Sequence, residues 1–282
     1  MPFPVYWPGS IRSTVAVVAA VLLSALLPAP SMAQDSLPAG FDTSFALADR
    51  RARAILFWQQ CSATIVRHRA SGLFGPTATA PREVHCERTS DGVPVGGVFD
   101  VDTGLTRVRR LMLVRLDGGR PTYSDPIDTA RVLREITMEQ RVAREIGPAW
   151  KRQSRYFLVV PVRDTSGVTE GWVIPVSSQG GRTVVTGGDM GFISDAAGRL
   201  SRIADRSATW KLATVSAEGP VAIASGEALV PTVSELVIAR AIGERGREVT
   251  VTTASGTSTL IAEFDPATRS AQRWRHTPAA RR

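Results

Sequence analysis

The sequence predicts an α+β fold, mainly antiparallel sheet in hairpins and meanders, with an N-terminal helix, a central helix pair and one short helix near residues 233–242. Three observations carry that expectation. Helical periodicity is confined to a few windows, bounded by capping or helix-ending residues. Between them lie short apolar runs separated by turns rich in Asp, Ser and Gly. Consecutive runs are joined by those turns rather than by helices, which suits antiparallel pairing and excludes a doubly wound parallel sheet.

Residues 1–33 read as an export signal. Arg12 is the only charged side chain before Thr14–Leu27, an unbroken run of apolar and small residues. Ser31 and Ala33 then stand where signal peptidase needs small side chains, so cleavage is expected between Ala33 and Gln34. The run is shorter than the ~20 apolar residues of a bilayer span, and two prolines follow it. No cysteine follows Ala33 to carry a lipid, and no later segment has span length. The expected product is residues 34–282, soluble and either periplasmic or secreted.

After the leader, a helix should start near Asp42 or Thr43. Leu47, Ala54, Trp58, Cys61 and Ile65 recur along it at helical spacing, and it should end by Ser71-Gly72. Residues 73–94 hold three prolines and few apolar residues and read as an irregular loop tied down at Cys86. A hairpin follows over 95–116, turning at Asp102-Thr103-Gly104, with a further turn at Asp117-Gly118-Gly119. Two short helices come next. Asp125-Pro126 signals the start of one, and Thr137 to Gln140, a capping box, the start of the other, which Gly147-Pro148 should stop.

From Arg155 the texture becomes that of strands, over 156–162, 171–177, 183–186, 190–193, 199–203, 210–215 and 221–224. Gly187-Gly188 suggests a bulge within one of them. Thr232 to Glu235 is a second capping box, opening a helix that Gly243 ends. A three-strand meander over 248–274 closes the chain. The division expected is 34–150, helical and hairpin, against 151–282, rich in sheet, or else one continuous domain over 42–276.

The chain has two cysteines, Cys61 and Cys86. In an oxidising compartment a lone pair reads as one disulfide. Lys and Arg total 34 against 26 Asp and Glu, a net charge of +8 that becomes +7 once the leader and its one arginine are removed. Lys151 and Lys211 are the only lysines, and the arginines are scattered among acids, so the excess reads as compositional. The basic stretch Arg269–Arg282 reads as a frayed end rather than a binding arm. Partners compatible with this charge are another envelope protein or an anionic polymer; nucleic acid is not expected.

Asp102-Thr103-Gly104 matches the catalytic triplet of aspartic proteases, which need two aspartates sharing a proton. Asp164-Thr165-Ser166-Gly167 is a looser second match, with an inserted serine. A hairpin turn explains the triplet more economically, because Asp102, Asp195 and Asp265 share one texture: a strand end, Asp, small residues, then a returning strand with Arg. His85-Cys86-Glu87 resembles the start of a zinc deaminase signature, but no Pro-Cys-x-x-Cys follows. The three histidines, His68, His85 and His276, lie in no metal-ligand spacing, and no phosphate loop or dinucleotide fingerprint occurs. No metal or cofactor is therefore expected. The tryptophans read as core rather than as ring platforms for a ligand. The expected function is that of an exported, non-enzymatic binding or scaffold protein. The alternatives are a hydrolase whose residues converge only in three dimensions, with Asp102, Asp164, His85 and Asp189 the first to examine, or an arginine-mediated binder of anionic envelope polymers.

Overall fold

A computed structural model describes residues 36–70, 82–88, 94–102, 104, 106–115, 129–151, 157–163, 169–175, 183–195, 199–206, 209–215, 218–263 and 271–279. Ser36–Ala279 form one compact unit. The fold is α+β with mostly antiparallel strands in several sheets, as the sequence predicts. The expected signal segment and its Ala33-Gln34 cleavage site lie outside the described residues. So do the turns at 117–119 and 265–268, the Asp164-Thr165-Ser166-Gly167 match, and the helix start at Asp125-Pro126.

Helix α1 spans Phe41–Ala70. Its buried residues Phe41, Phe45, Ala48, Ala52, Ile55 and Trp58 recur every three or four positions, so one stripe faces the core. That stripe meets Val160 and Val162 of β4 (Phe157–Arg163), Trp172 and Ile174 of β5 (Thr169–Pro175), and Val233, Leu236 and Val237 of a later helix. The opposite face of the same sheet offers Val173 of β5 together with Met190 and Phe192 of a further strand (Met190–Ser194). It packs on Met138, Val142 and Ile146 of helix α2 (Thr129–Lys151). Strand alternation thus gives each helix its own face of one sheet.

Gly171 makes the second contact possible. A Cβ there would lie 2.9 Å from Cγ2 of Val142, a side chain stiff at χ1. Gly171→Ala is expected to cost about 1–3 kcal/mol through overpacking, read as a lower urea midpoint with an unchanged slope.

Strands β1 (Arg82–Arg88), β2 (Pro94–Val101) and β3 (Val108–Arg115) form an antiparallel sheet in that order. The predicted loop over 73–94 therefore contains a strand. Only Val84 marks it as apolar at a non-cysteine position; its pairing with β2 and its covalent tie to α1 supply what its own sequence lacks. The Cys61–Cys86 disulfide is formed, with Cα atoms 6.1 Å apart, among Ile65, Val84 and Val98. Phe99 of β2 packs on Val132 and Ile136 of α2.

Where the sequence predicts a second helix starting at Thr137, α2 runs through unbroken. The Thr137 hydroxyl donates to the Leu133 carbonyl at 2.7 Å instead of capping a new start. Burial of Val132 and Ile136 on one sheet and of Met138, Val142 and Ile146 on another outweighs the local signal. Gly147-Pro148 does not stop the helix either, which continues to Lys151. Proline there forgoes one backbone bond in the last turn, a cost that tertiary packing overrides.

The remaining strands are β6 (Thr183–Thr186), β7 (Met190–Ser194), β8 (Leu200–Asp205), β9 (Lys211–Thr214) and β10 (Val221–Ala224). Helix α3 (Val233–Gly243) leads into β11 (Val249–Thr253), β12 (Gly256–Glu263) and β13 (Ala271–Pro278). The sheet orders are β4-β5-β7-β8, β6-β9 and β10-β11-β12-β13. Gly187 and Gly188 do not form a bulge inside a strand. Both have positive φ, 68° and 75°, and they divide β6, which pairs with β9, from β7, which pairs with β5. One pairing departs from antiparallel: β10 runs parallel to β11, because α3 serves as the crossover between them. The inward residues Val221, Ile223, Val249, Val251 and Leu260 of that last sheet pack on Ala239 and Ile242 of α3. The Thr232–Glu235 capping box forms as read from sequence.

Candidate functional site

Asp102 sits fully exposed in the β2–β3 turn. Its carboxylate accepts the Thr106 and Arg107 backbone N–H groups at 2.7 and 2.8 Å and the Thr106 hydroxyl at 2.5 Å. Those bonds, the Thr106 hydroxyl foremost, hold its pKa below the ordinary carboxylate value. Asp195 repeats the device between β7 and β8, accepting from the backbone N–H and the guanidinium of Arg199, both at 2.8 Å. Asp164 lies outside the described residues. His85 is buried on β1, its Nε2 2.9 Å from the Glu135 carboxylate of α2 and its ring edge-on to Phe99. Among the described residues, His85, Asp102 and Asp189 share no hydrogen bond or ion pair.

Asp189 belongs to a polar knot at the start of α3. It is 2% exposed, and Ser234 Oγ donates to its Oδ1 at 2.9 Å. Thr232 Oγ1 lies 3.1 Å from Ser234 Oγ, while Glu235 accepts the Thr232 backbone N–H at 2.8 Å and the Ser225 hydroxyl at 2.6 Å. Burial raises the Asp189 pKa against the Ser234 hydrogen bond that opposes it, and the Glu235 charge adds to the rise. The native state therefore holds this proton to higher pH than the unfolded chain does. The resulting stability is greatest below the unfolded value of 3.8 and is lost as pH rises through the folded value. Asp189→Asn keeps the acceptor for Ser234 and cannot ionise. It is expected to flatten the pH dependence of urea unfolding above pH 4 and to leave the variant more stable than the parent at the alkaline end.

Sequence reasoning missed two further buried constellations. Arg240 of α3 meets Asp49 of α1 through two bonds, Nε to Oδ1 at 2.5 Å and Nη2 to Oδ2 at 2.7 Å. Arg53 also donates to Asp49 Oδ2, the indole N–H of Trp274 donates to Oδ1 at 3.1 Å, and Gln272 accepts from Arg240 at 3.1 Å. Burial works to raise the Asp49 pKa, but the hydrogen bonds and charges of Arg240 and Arg53 overcome it and hold it low. In the second constellation, Glu170 of β5 accepts two bonds from Arg51 at 2.8 and 2.6 Å and one from the Trp172 indole at 2.6 Å, while the Arg51 guanidinium lies over the Trp172 ring. Each cluster ties elements far apart in the chain, and only three-dimensional pairing distinguishes its charges from surface charges in the sequence.

On the surface, a groove of about 950 Å³ between α2 and the β7–β8 hairpin is lined by Arg141, Arg144, Arg199 and Arg202 together with Glu145 and Phe192. Its positive charge is largely met from within: Arg199 pairs with Asp195, Arg202 pairs with Asp205, and Glu145 stands in the groove itself. The outward face of sheet β10–β13 differs. The register places Ala222, Thr250, Thr259 and Arg275 in one row across it and Ala224, Thr252, Thr257 and Thr277 in the next, with Ile261 beside Arg273. Helix α3 covers the inward face. The stretch read as a frayed basic end thus contains a paired strand, Ala271–Pro278, in which Arg273 stands opposite Ile261 and Arg275 opposite Thr259 of β12. Trp58 and Trp172 are core, as the sequence suggests, and Trp274 turns inward onto Phe45.

Among the described residues no group of three or more His, Cys, Asp or Glu side chains converges as a metal set, and no helix is long and apolar enough to cross a membrane. Comparison of the chain with protein-family models, with curated proteins and with solved structures finds no match.

Proposed function

We propose that this chain is an exported, disulfide-stapled binding protein of the bacterial cell envelope. The observation that carries the proposal is the Cys61–Cys86 disulfide, which consumes both cysteines of the chain. Such a bond persists in an oxidising compartment and is rare in a reducing one. The apolar run and small-residue cleavage pattern of residues 14–33 supply the route to that compartment. A binding role, rather than a catalytic one, is supported by how the candidate side chains are occupied. Asp102 satisfies its own turn, His85 is held by Glu135, and Asp189 is sealed against Ser234.

Export is tested by fusing residues 1–40 to a phosphatase reporter that folds only once its own disulfides form. Enzyme activity in the envelope fraction, lost when Leu22 and Leu23 are replaced by Arg, is the expected result. Activity that is absent with the native segment contradicts the proposal.

A further inference from the structure

We infer that the contact between His276 of β13 and the first two turns of α1 is a pH-operated latch, closed while the imidazole is neutral and opened by its protonation. The latch lies apart from the cysteine pair, and the inference does not rest on the export reading.

Three elements build the seat. Helix α1 supplies Phe41 and Phe45, each 4% exposed. Their rings meet the half-buried His276 ring edge-to-face, with centroids 5.1 and 4.4 Å away. Phe45 also stacks on Phe41 at 5.7 Å and packs edge-on against Trp274, two residues back along β13. Strand β12 supplies Ser258, the register partner of His276, whose Oγ lies 2.9 Å from Nδ1. A pocket of about 320 Å³ bounded by Ile261, Arg273, Trp274, Arg275 and His276 opens beside the ring and gives solvent protons a route to it.

The groups around the ring decide which form it holds. The Ser258 hydroxyl both donates and accepts, so it serves the neutral and the charged ring alike. Phe41 is the first residue of α1, and the positive end of a helix dipole disfavours a cation there. Arg273 and Arg275, bounding the same pocket, add positive charge. Against them stand Asp42, in the first turn of α1, and Asp49, two turns on. Asp42 is exposed to water, and the Asp49 carboxylate is already taken by Arg240 of α3, Arg53 and the Trp274 indole. Burial of the ring outweighs both acids and lowers its pKa below 6.5.

The seat therefore favours the neutral ring. Its contribution is fully present above 6.5 and is lost as pH falls through the lower folded value. What yields is the start of α1 rather than the whole helix. Further along, Asp49 is tied to Arg240 and Cys61 to Cys86, so opening stops short of Asp49 and uncovers Phe41 and Phe45.

The test combines an NMR titration of the His276 ring with amide hydrogen exchange on the purified protein between about pH 7.5 and 5.0, corrected for the intrinsic pH dependence of exchange. The ring is expected to titrate below 6.5. Protection of the Phe45, Ala46 and Leu47 amides should fall relative to that of Ile55–Trp58, by at most about tenfold for each pH unit separating the ring's titration from 6.5. His276→Phe keeps an aromatic ring in the seat and His276→Gln keeps a hydrogen-bonding group; neither titrates in this range, and both should lose the pH-dependent change. A ring that titrates at or above 6.5 overturns the inference. So does relative protection that stays constant across the range in the parent, or a parent-like fall in either variant. The second variant keeps the test open should the first fail to fold, and it separates His276 from Asp189 and His85, which both variants retain.

Discussion

Asp49→Ala is expected to cost about 3–5 kcal/mol of folding stability. Asp49 is buried, and its two oxygens accept from Nε and Nη2 of Arg240, a residue 7% exposed, as well as from Arg53 and the Trp274 indole. Removing the carboxylate leaves Arg240 charged between α1 and β13 with only Gln272 to receive its hydrogen bonds. The loss therefore comes mainly from the stranded charge rather than from the pair's own attraction. That distinction can be measured. Asp49→Leu combined with Arg240→Met removes both charges and should recover most of the loss, so the coupling in a double-mutant cycle of urea unfolding should be large. Arg53→Ala, which removes a largely exposed partner of the same carboxylate, should cost about 1 kcal/mol or less. The Asp49 pKa is lowered in the native state, so the cluster's contribution is present above the unfolded value of 3.8 and is lost as pH falls through the lower folded value. Asp189 carries the opposite sign, and the two together predict opposing slopes at the two ends of the pH range.

Loss of the disulfide is the second large effect. Cys61 and Cys86 are 25 residues apart, and the loop they close is worth about 3 kcal/mol in the chain-entropy model. Cys61→Ala with Cys86→Ala should lower the thermal midpoint by about 10 °C for a compact unit of this size. The effect should be concentrated at β1. That strand reads as loop in sequence and is held by its pairing with β2, its covalent tie to α1 and the His85–Glu135 contact to α2. Hydrogen exchange of the β1 amides should rise more than that of β5, which is buried between two helices. Equal protection of β1 in the double variant and the parent would sink this account of the strand.

What the sequence made legible follows from the range of the physics involved. The capping box at Thr232 and the turn aspartates at 102 and 195 are local, and each appears where its residues predict it; of the stripe expected on α1, Trp58, Cys61 and Ile65 are buried, while Leu47 and Ala54 are only half-buried beside the true stripe of Phe41, Phe45, Ala48, Ala52 and Ile55. Misreadings arose where distant contacts overrode local signals. The Thr137 box was overridden because α2 is gripped on one side by Phe99 and on another by Val173 and Phe192. Gly187-Gly188 could not be read as a switch between sheets without knowing that β9 would claim β6. Arg273 and Arg275 were indistinguishable from a basic tail until β12 paired with them residue by residue. Asp49 and Arg240 are 191 positions apart, and nothing in either's neighbourhood marks it as the other's partner.

The central claim is that this chain works as an exported, cross-linked protein. The most direct measurement is the intact mass of the protein recovered from the envelope fraction, taken before and after reduction. The expected result is a chain beginning at Gln34 whose mass rises by about 2 Da on reduction, with no thiol open to alkylation beforehand. A chain recovered from the cytoplasm that still begins at Met1, with Cys61 and Cys86 both alkylated without reduction, would contradict it.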